Sequence, residues 1–99
     1  MHNDVTTIGK YAFYDTVALN SITIGNNVAY IGDYAFANNA ALTSINIPPS
    51  VTEIGAYAFC DVTSLESVYI TDLEAWLRIT FNSDTANPLY NYVTLYLNN

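Results

Sequence analysis

The 99-residue chain is poor in positive charge: Lys10 and Arg78 are its only strong bases, against nine carboxylates, for a formal net charge of −7. This argues against nucleic acid as a ligand, because phosphate binding needs clustered Lys and Arg to displace counterions. The same deficit argues against electrostatic attachment to an anionic membrane. No apolar run approaches the roughly 20 residues that span a bilayer, so no membrane insertion is expected. With one cysteine, Cys60, there is no internal disulfide, and with one histidine, His2, there is no His-based acid–base pair. His2 sits in a terminus expected to fray and is a poor base or ligand. There is no glycine-rich phosphate loop, no Asn-x-Ser/Thr sequon and no basic-then-apolar leader. Met1-His2-Asn3 precedes the first regular feature, and a fragment or a trimmed mature form is expected.

What the chain has is repetition. Ile-Gly-x-Tyr-Ala-Phe occurs at Ile8–Phe13, Ile31–Phe36 and Ile54–Phe59, a period of 23 residues. A fixed period of this length marks a solenoid. The copies run 5–27, 28–50 and 51–73. Their constant columns are Val5/Val28/Val51, Ile8/Ile31/Ile54, Gly9/Gly32/Gly55, Tyr11/Tyr34/Tyr57, Ala12/Ala35/Ala58, Phe13/Phe36/Phe59 and Leu19/Leu42/Leu65. Ile22/Ile45/Val68 and Ile24/Ile47/Ile70 complete the apolar set. With 52% hydrophobic residues, the chain can build a core, but only if repeat stacks on repeat.

Two periodicities share each copy. Leu42-x-x-Ile45-x-Ile47 ends in strand alternation, with Ile45 and Ile47 inward and Ser44 and Asn46 outward. Val28-x-x-Ile31-x-x-x-Ala35-Phe36 has spacings near three and four, which predicts a short extended piece and then a helical turn over 33–37. Gly32 allows either an unusual backbone conformation or a close approach. Gly25-Asn26 and Pro48-Pro49 predict the turns after the strands.

The Leu-x-x-Ile-x-Ile and Ile-Gly-x-Tyr-Ala-Phe columns together resemble the BspA-like leucine-rich repeat, over Val5 to about Ile70. The stretch from Ile70 through Trp76 to Asn87-Pro88-Leu89-Tyr90 is similar to a non-repeat segment found in that family. The family often carries Cys or Asn three residues after the Phe; here those positions are Thr16, Asn39 and Val62, so Cys60 is not the family cysteine. The resemblance implies an α/β leucine-rich-repeat solenoid, with short parallel strands on the concave face, helical turns on the convex face and a non-repeat C-terminal cap. A single domain, 1–99, is expected, with the cap at 71–99. The resemblance also implies a cell-surface or secreted protein that binds proteins or glycans, and no catalytic residues.

Beyond the third copy, Thr71-x-x-Glu74 matches a capping box, and Leu73, Trp76 and Leu77 form a stripe on a short helix over 72–79 that would cover the end of the stack. Asn82–Ala86 reads as a polar loop and Asn87-Pro88 as a turn. Val93, Leu95 and Leu97 alternate with Thr94 and Tyr96, which predicts a fourth strand at the sheet edge after a four-residue insertion.

The outward strand positions are Ser21 and Thr23, Ser44 and Asn46, Ser67 and Tyr69, then Thr94 and Tyr96. Ser44, Asn46, Ser67, Tyr69, Thr94 and Tyr96 are the candidate binding residues. Tyrosine gives area and a hydrogen bond at low entropy cost, although these are also ordinary exposed strand residues. The Tyr11/Tyr34/Tyr57 column is either a binding ladder or, more simply, a structural stack. Asp15/Asn38/Asp61 could line up oxygens for Ca²⁺, but turn capping explains them more simply, and no metal or cofactor is expected. Cys60 has no nearby histidine and reads as a semi-buried structural thiol. Glu66 and Glu74 lack any sign of a sugar-holding cleft. The expected function is a non-catalytic binding module; the rival is a structural spacer that self-associates through its exposed solenoid ends.

Overall fold

The computed structural model describes residues 5–16, 19–83, 86–91 and 93–97, with the side chains of Tyr90 and Asn91 left aside. The expectations for Met1, His2 and Asn3, and part of the loop expected at 82–86, lie outside these residues.

Each repeat contributes one strand to each of two parallel sheets. The narrow sheet contains β1 (Thr7–Ile8), β3 (Tyr30–Ile31), β5 (Glu53–Ile54) and β7 (Thr80–Phe81), paired in that order. The broad sheet contains β2 (Ser21–Thr23), β4 (Ser44–Asn46), β6 (Ser67–Ile70) and β8 (Thr94–Leu97). Pairing follows the repeat register without a slip, as Ile22↔Ile45↔Val68↔Leu95 shows. A slip of one residue would turn the buried column outward, so the pattern specifies the register strongly. The strand expected over Leu95–Leu97 is therefore β8, at the edge of the broad sheet.

The core lies between the sheets and the turn segments. Ile31 and Ile54 enter from the narrow sheet, Ile45 and Val68 from the broad one, and Phe36, Phe59, Leu42 and Leu65 from the connecting arcs. Phe13–Phe36 and Phe36–Phe59 stack at 5.3 and 5.2 Å. Each such aromatic pair adds about 0.5–1.5 kcal/mol beyond area burial.

The arcs opposite the broad sheet are not helical. Residues 10–15, 33–38 and 56–61 are successive tight turns, and Tyr11, Tyr34 and Tyr57 have φ of 60°, 58° and 59°. Amides alternate in direction. Ala35 and Ala37 donate within their own repeat, to the carbonyls of Gly32 and Tyr34, at 3.2 Å each. Tyr34, Phe36 and Asn38 donate to the next repeat, to Ala56, Ala58 and Cys60, at 3.1, 2.9 and 2.8 Å. Repeat one does the same toward repeat two, through Tyr11, Phe13 and Asp15. An α-helix would spend all its amides inside one repeat. The turns instead form a third hydrogen-bonded ladder between repeats. Left-handed backbone at a bulky residue costs about 1–3 kcal/mol and persists only when its surroundings over-determine it; here the ladder and the ring stacking do so.

The second left-handed column is Asp15, Asn38 and Asp61, with φ of 56°, 61° and 59°. Asp and Asn tolerate this conformation best among non-glycine residues. That accounts for the column as turn chemistry rather than as a set of cation ligands.

The glycine column serves close approach, since no described glycine has a positive φ. A Cβ on Gly32 would sit 2.6 Å from the Lys10 amide nitrogen and 2.8 Å from the Gly9 carbonyl carbon. One on Gly55 would sit 2.5 Å from the Asp33 amide nitrogen. Gly9 has nothing within 4 Å of the equivalent point.

Among the described residues, Asn39 is the one buried polar residue. Its Nδ2 donates to the carbonyls of Phe13 at 2.8 Å and Phe36 at 2.7 Å, one in each of two repeats. Thr16 reaches Phe13 alone, at 2.9 Å. The turns expected at Gly25-Asn26 and Pro48-Pro49 close through Val28 N–H to Gly25 O (3.1 Å) and Val51 N–H to Pro48 O (3.2 Å).

The C-terminal helix is shorter than the stretch 72–79. Helix α1 (Leu73–Leu77) lies in the connection from β6 to β7, where the four-residue insertion falls. Its N-cap is Asp72 rather than Thr71; Asp72 Oδ1 accepts from Ala75 N–H at 3.0 Å. Of the expected apolar stripe only Trp76 is buried, edge-on to Phe81 at 5.6 Å. Leu73 and Leu77 are 46% and 73% exposed. Five residues make little more than one turn, so positions 73 and 77 cannot both follow Trp76 inward. Residues 80–97 then add a strand to each sheet rather than only covering the stack.

Gly32→Ala and Gly55→Ala should each destabilise the protein by about 1–3 kcal/mol through overpacking, whereas Gly9→Ala should change stability by under about 0.5 kcal/mol. Urea unfolding of the three variants checks this. Asn39→Ala should cost about 1–3 kcal/mol in the same assay, because it removes the side-chain donor to the buried Phe36 carbonyl and one of the two donors to Phe13 O, which keeps Thr16.

Candidate functional site

Parallel sheets usually have both faces covered. The outer face of the broad sheet is not, and it carries the predicted polar residues. Register places Ser21, Ser44, Ser67 and Thr94 in one row, and Thr23, Asn46, Tyr69 and Tyr96 in the next. Thr23, Asn46, Thr94 and Tyr96 are exposed; Ser44, Ser67 and Tyr69 are half-buried. Tyr69 and Tyr96 stack at 5.1 Å with planes 20° apart. The six predicted residues thus share one face.

Their surroundings divide them. Where β2, β4 and β6 end, a cavity of ≈ 120 Å³ opens between the strands and the turns that follow. Asn46 and Tyr69 line it, with Thr23, Asn26 and Thr71. Pro48 and Pro49 form one side, and Ile24, Ile47 and Ile70 also contact it. Ser44, Ser67, Thr94 and Tyr96 do not line it. Asn26, Thr71 and the two prolines escaped a reading of strand positions alone, because they belong to turns whose sequence differs from repeat to repeat. The available signal was their place just after a strand column with exposed hydroxyl and amide groups.

The other aromatic surface lies on the turns. Tyr11, Tyr34 and Tyr57 stack at 5.0 and 5.2 Å. Tyr14 meets Tyr11 and Tyr34 edge-on, and its hydroxyl accepts from Asn38 Nδ2 at 3.1 Å. Lys10 Nζ stands 5.8 Å from the Tyr11 ring centre. Arg78 pairs with Glu74 one helical turn away. Burial, then the neighbouring tyrosines, raise the Tyr34 phenol above its ordinary range. Tyr30 is raised by burial and then by Asp33 and Glu53.

Nothing in these groups forms a nucleophile–base pair. Burial, and then the charge and hydrogen bonding of Asp61, push the Cys60 thiol up from its ordinary value, so it is held protonated rather than activated. Among the described residues, no three His, Cys, Asp or Glu side chains come together as a metal centre, and no helix is long and apolar enough to cross a membrane.

With this geometry in hand, comparison with known families is decisive for the architecture. A model of the BspA-type leucine-rich repeat region (six copies) matches residues 1–85. The chain belongs to the BspA-type leucine-rich-repeat family. No curated protein and no solved structure matches it. A BspA-type repeat region is a module for binding or scaffolding, and the leucine-rich-repeat solenoid is a generally non-catalytic fold. In this BspA-type chain the strands hold the Ile8/Ile31/Ile54 and Ile22/Ile45/Val68 columns, and the turn arcs hold the tyrosine and phenylalanine columns.

Raised phenol and thiol groups bind protons more tightly in the folded state than in the unfolded chain. The stability they contribute is therefore complete below their ordinary ranges and is lost as pH rises through them. Unfolding midpoints should fall in alkaline solution as the Cys60 and then the tyrosine ranges are crossed. Cys60 should be alkylated more slowly in the folded protein at pH 8–9 than in urea, as mass spectrometry would show.

Proposed function

We propose that the chain is a non-catalytic protein- or glycan-binding module of a cell-surface or secreted protein, acting in adhesion. The observation that carries this reading is the outer row Thr23, Asn46, Tyr69 and Tyr96 on an uncovered parallel sheet. The row joins hydroxyl, amide and aromatic groups from four consecutive strands. The apolar core cluster forms without these residues, so core packing does not call for a stacked tyrosine pair there. BspA-type repeats typically belong to surface or secreted proteins, which is consistent with this reading. The acidic balance, with both strong bases engaged at the surface, points away from polyanionic partners.

A second reading, a self-associating scaffold, is favoured by a different observation. Leu73, Leu77 and Leu97 are exposed large apolar residues near the C-terminal end, and Gly9 is open at the other. Stacking of ends would be heterologous and would generate open chains rather than closed dimers. Sedimentation across a hundredfold concentration range separates the readings: a constant monomer mass removes the scaffold.

Capture of extracellular-matrix proteins and printed glycans should be saturable for this chain and lost in a Tyr69→Ala/Tyr96→Ala variant of equal thermal stability. Capture that survives in the variant would place binding away from the broad sheet. No capture of any kind would favour the scaffold.

A further inference from the structure

The geometry points to the cavity at the ends of β2, β4 and β6 as a subsite for one uncharged sugar ring, with Tyr69 as its stacking wall. This inference rests on the binding-module reading and names its ligand class. The cavity, at ≈ 120 Å³, is well below the roughly 300–1,000 Å³ of pockets for drug-sized ligands. It admits one small unit of a longer chain.

The chemistry of the lining selects the unit. Asn26 and Asn46 offer amide donors and acceptors, and Thr23 and Thr71 offer hydroxyls that do both. A sugar ring presents hydroxyls that need both roles. The lining holds no Asp, Glu, Lys, Arg or His. An anionic sugar would enter without a counter-charge, against a net charge of −7. Uronic, sialylated, sulfated and phosphorylated units are thereby disfavoured.

Tyr69 supplies the apolar contact. Tyr96 stacks on it at 5.1 Å, and the neighbour on its opposite side in the row is Asn46, a cavity residue. Tyr96 thus backs one face of the ring, and the Asn46 side is the one that borders the cavity. The C–H bonds on one face of a pyranose are weakly positive and suit the negative face of an aromatic ring. Tyr96 is a positioning residue and Tyr69 a contact residue. The frame is already set: Ile47 N–H donates to Tyr69 O at 2.9 Å, and the Pro48–Val51 turn is closed by its own hydrogen bond. A pre-formed site loses little entropy on binding.

The test is a ¹H–¹⁵N NMR titration of the chain with neutral gluco-, manno-, galacto- and N-acetylglucosamine oligosaccharides, with heparin oligosaccharide as the anionic probe. At least one neutral series should shift the amides of Asn26, Asn46–Ile47 and Tyr69–Thr71, and heparin should not. Tyr69→Ala should weaken that binding by roughly tenfold or more, and Tyr69→Phe should retain it. Thr23→Val, a near-isosteric surface change, should weaken it several-fold even if Tyr69→Ala fails to fold. No shift at these amides with any neutral probe would overturn the inference. So would preferential heparin binding there, or full binding by Tyr69→Ala. Capture of a matrix protein by the broad sheet, with no saccharide response, would remove the sugar subsite and leave the binding-module reading intact.

Discussion

The distance between repeats is set where backbone passes backbone at Gly32 and Gly55. A methyl group at either position would lie within about 2.5–2.8 Å of main-chain atoms of the preceding repeat. Everything stacked along the solenoid inherits that rise. Tyr11, Tyr34 and Tyr57 meet at 5.0–5.2 Å, the phenylalanines at 5.2–5.3 Å, and Tyr69 and Tyr96 at 5.1 Å. These separations lie near the strand spacing of a sheet. The aromatic columns are thus an outcome of close backbone passage as much as its cause.

Close passage also explains the left-handed tyrosines. An arc that sends alternate amides to the next repeat cannot follow helical dihedrals. It turns its peptide planes in alternate directions, and the positive φ at Tyr34 and Asn38 does this between Ala35–Ala37, which bond inside the repeat, and the residues that bond outward. The result is hydrogen bonding on three sides of each repeat: the narrow sheet, the broad sheet and the turn ladder. A repeat that short could not bury its apolar residues alone, and the three ladders tie it to its neighbours.

The repeat, the broad-sheet strands and their register were legible in the sequence, because a 23-residue period and strand alternation are both visible in one chain; the narrow sheet was visible only as a short extended piece, and its strand β7 (Thr80–Phe81) not at all. The sequence showed the candidate face, including Asn46 and Tyr69, from the same alternation. It misled on the arcs: spacings of three and four are shared by helices and by tandem turns, and tyrosine is not a residue whose presence signals left-handed backbone. The Asp15/Asn38/Asp61 column was the available hint. It misled on Leu73 and Leu77, since a helical stripe presumes a helix long enough to lie on a core. The cavity was legible only in part. Its strand residues sit in repeat columns, but Asn26, Pro48 and Thr71 come from turns that differ between repeats. The uncovered row on the broad sheet and the cavity beside it are held at the spacing of the scaffold: Tyr96 stacks on Tyr69, and Tyr69 shares the cavity lining with Asn26 and Asn46.

Native-state amide hydrogen exchange tests the central claim, that the turn arcs are a third inter-repeat ladder. The account predicts that the amides of Tyr34, Phe36 and Asn38 exchange as slowly as those of Ile45 in the broad sheet, through cooperative unfolding of the stack. Exchange at the rate of free loops for these three amides, with the sheet amides still protected, would contradict it.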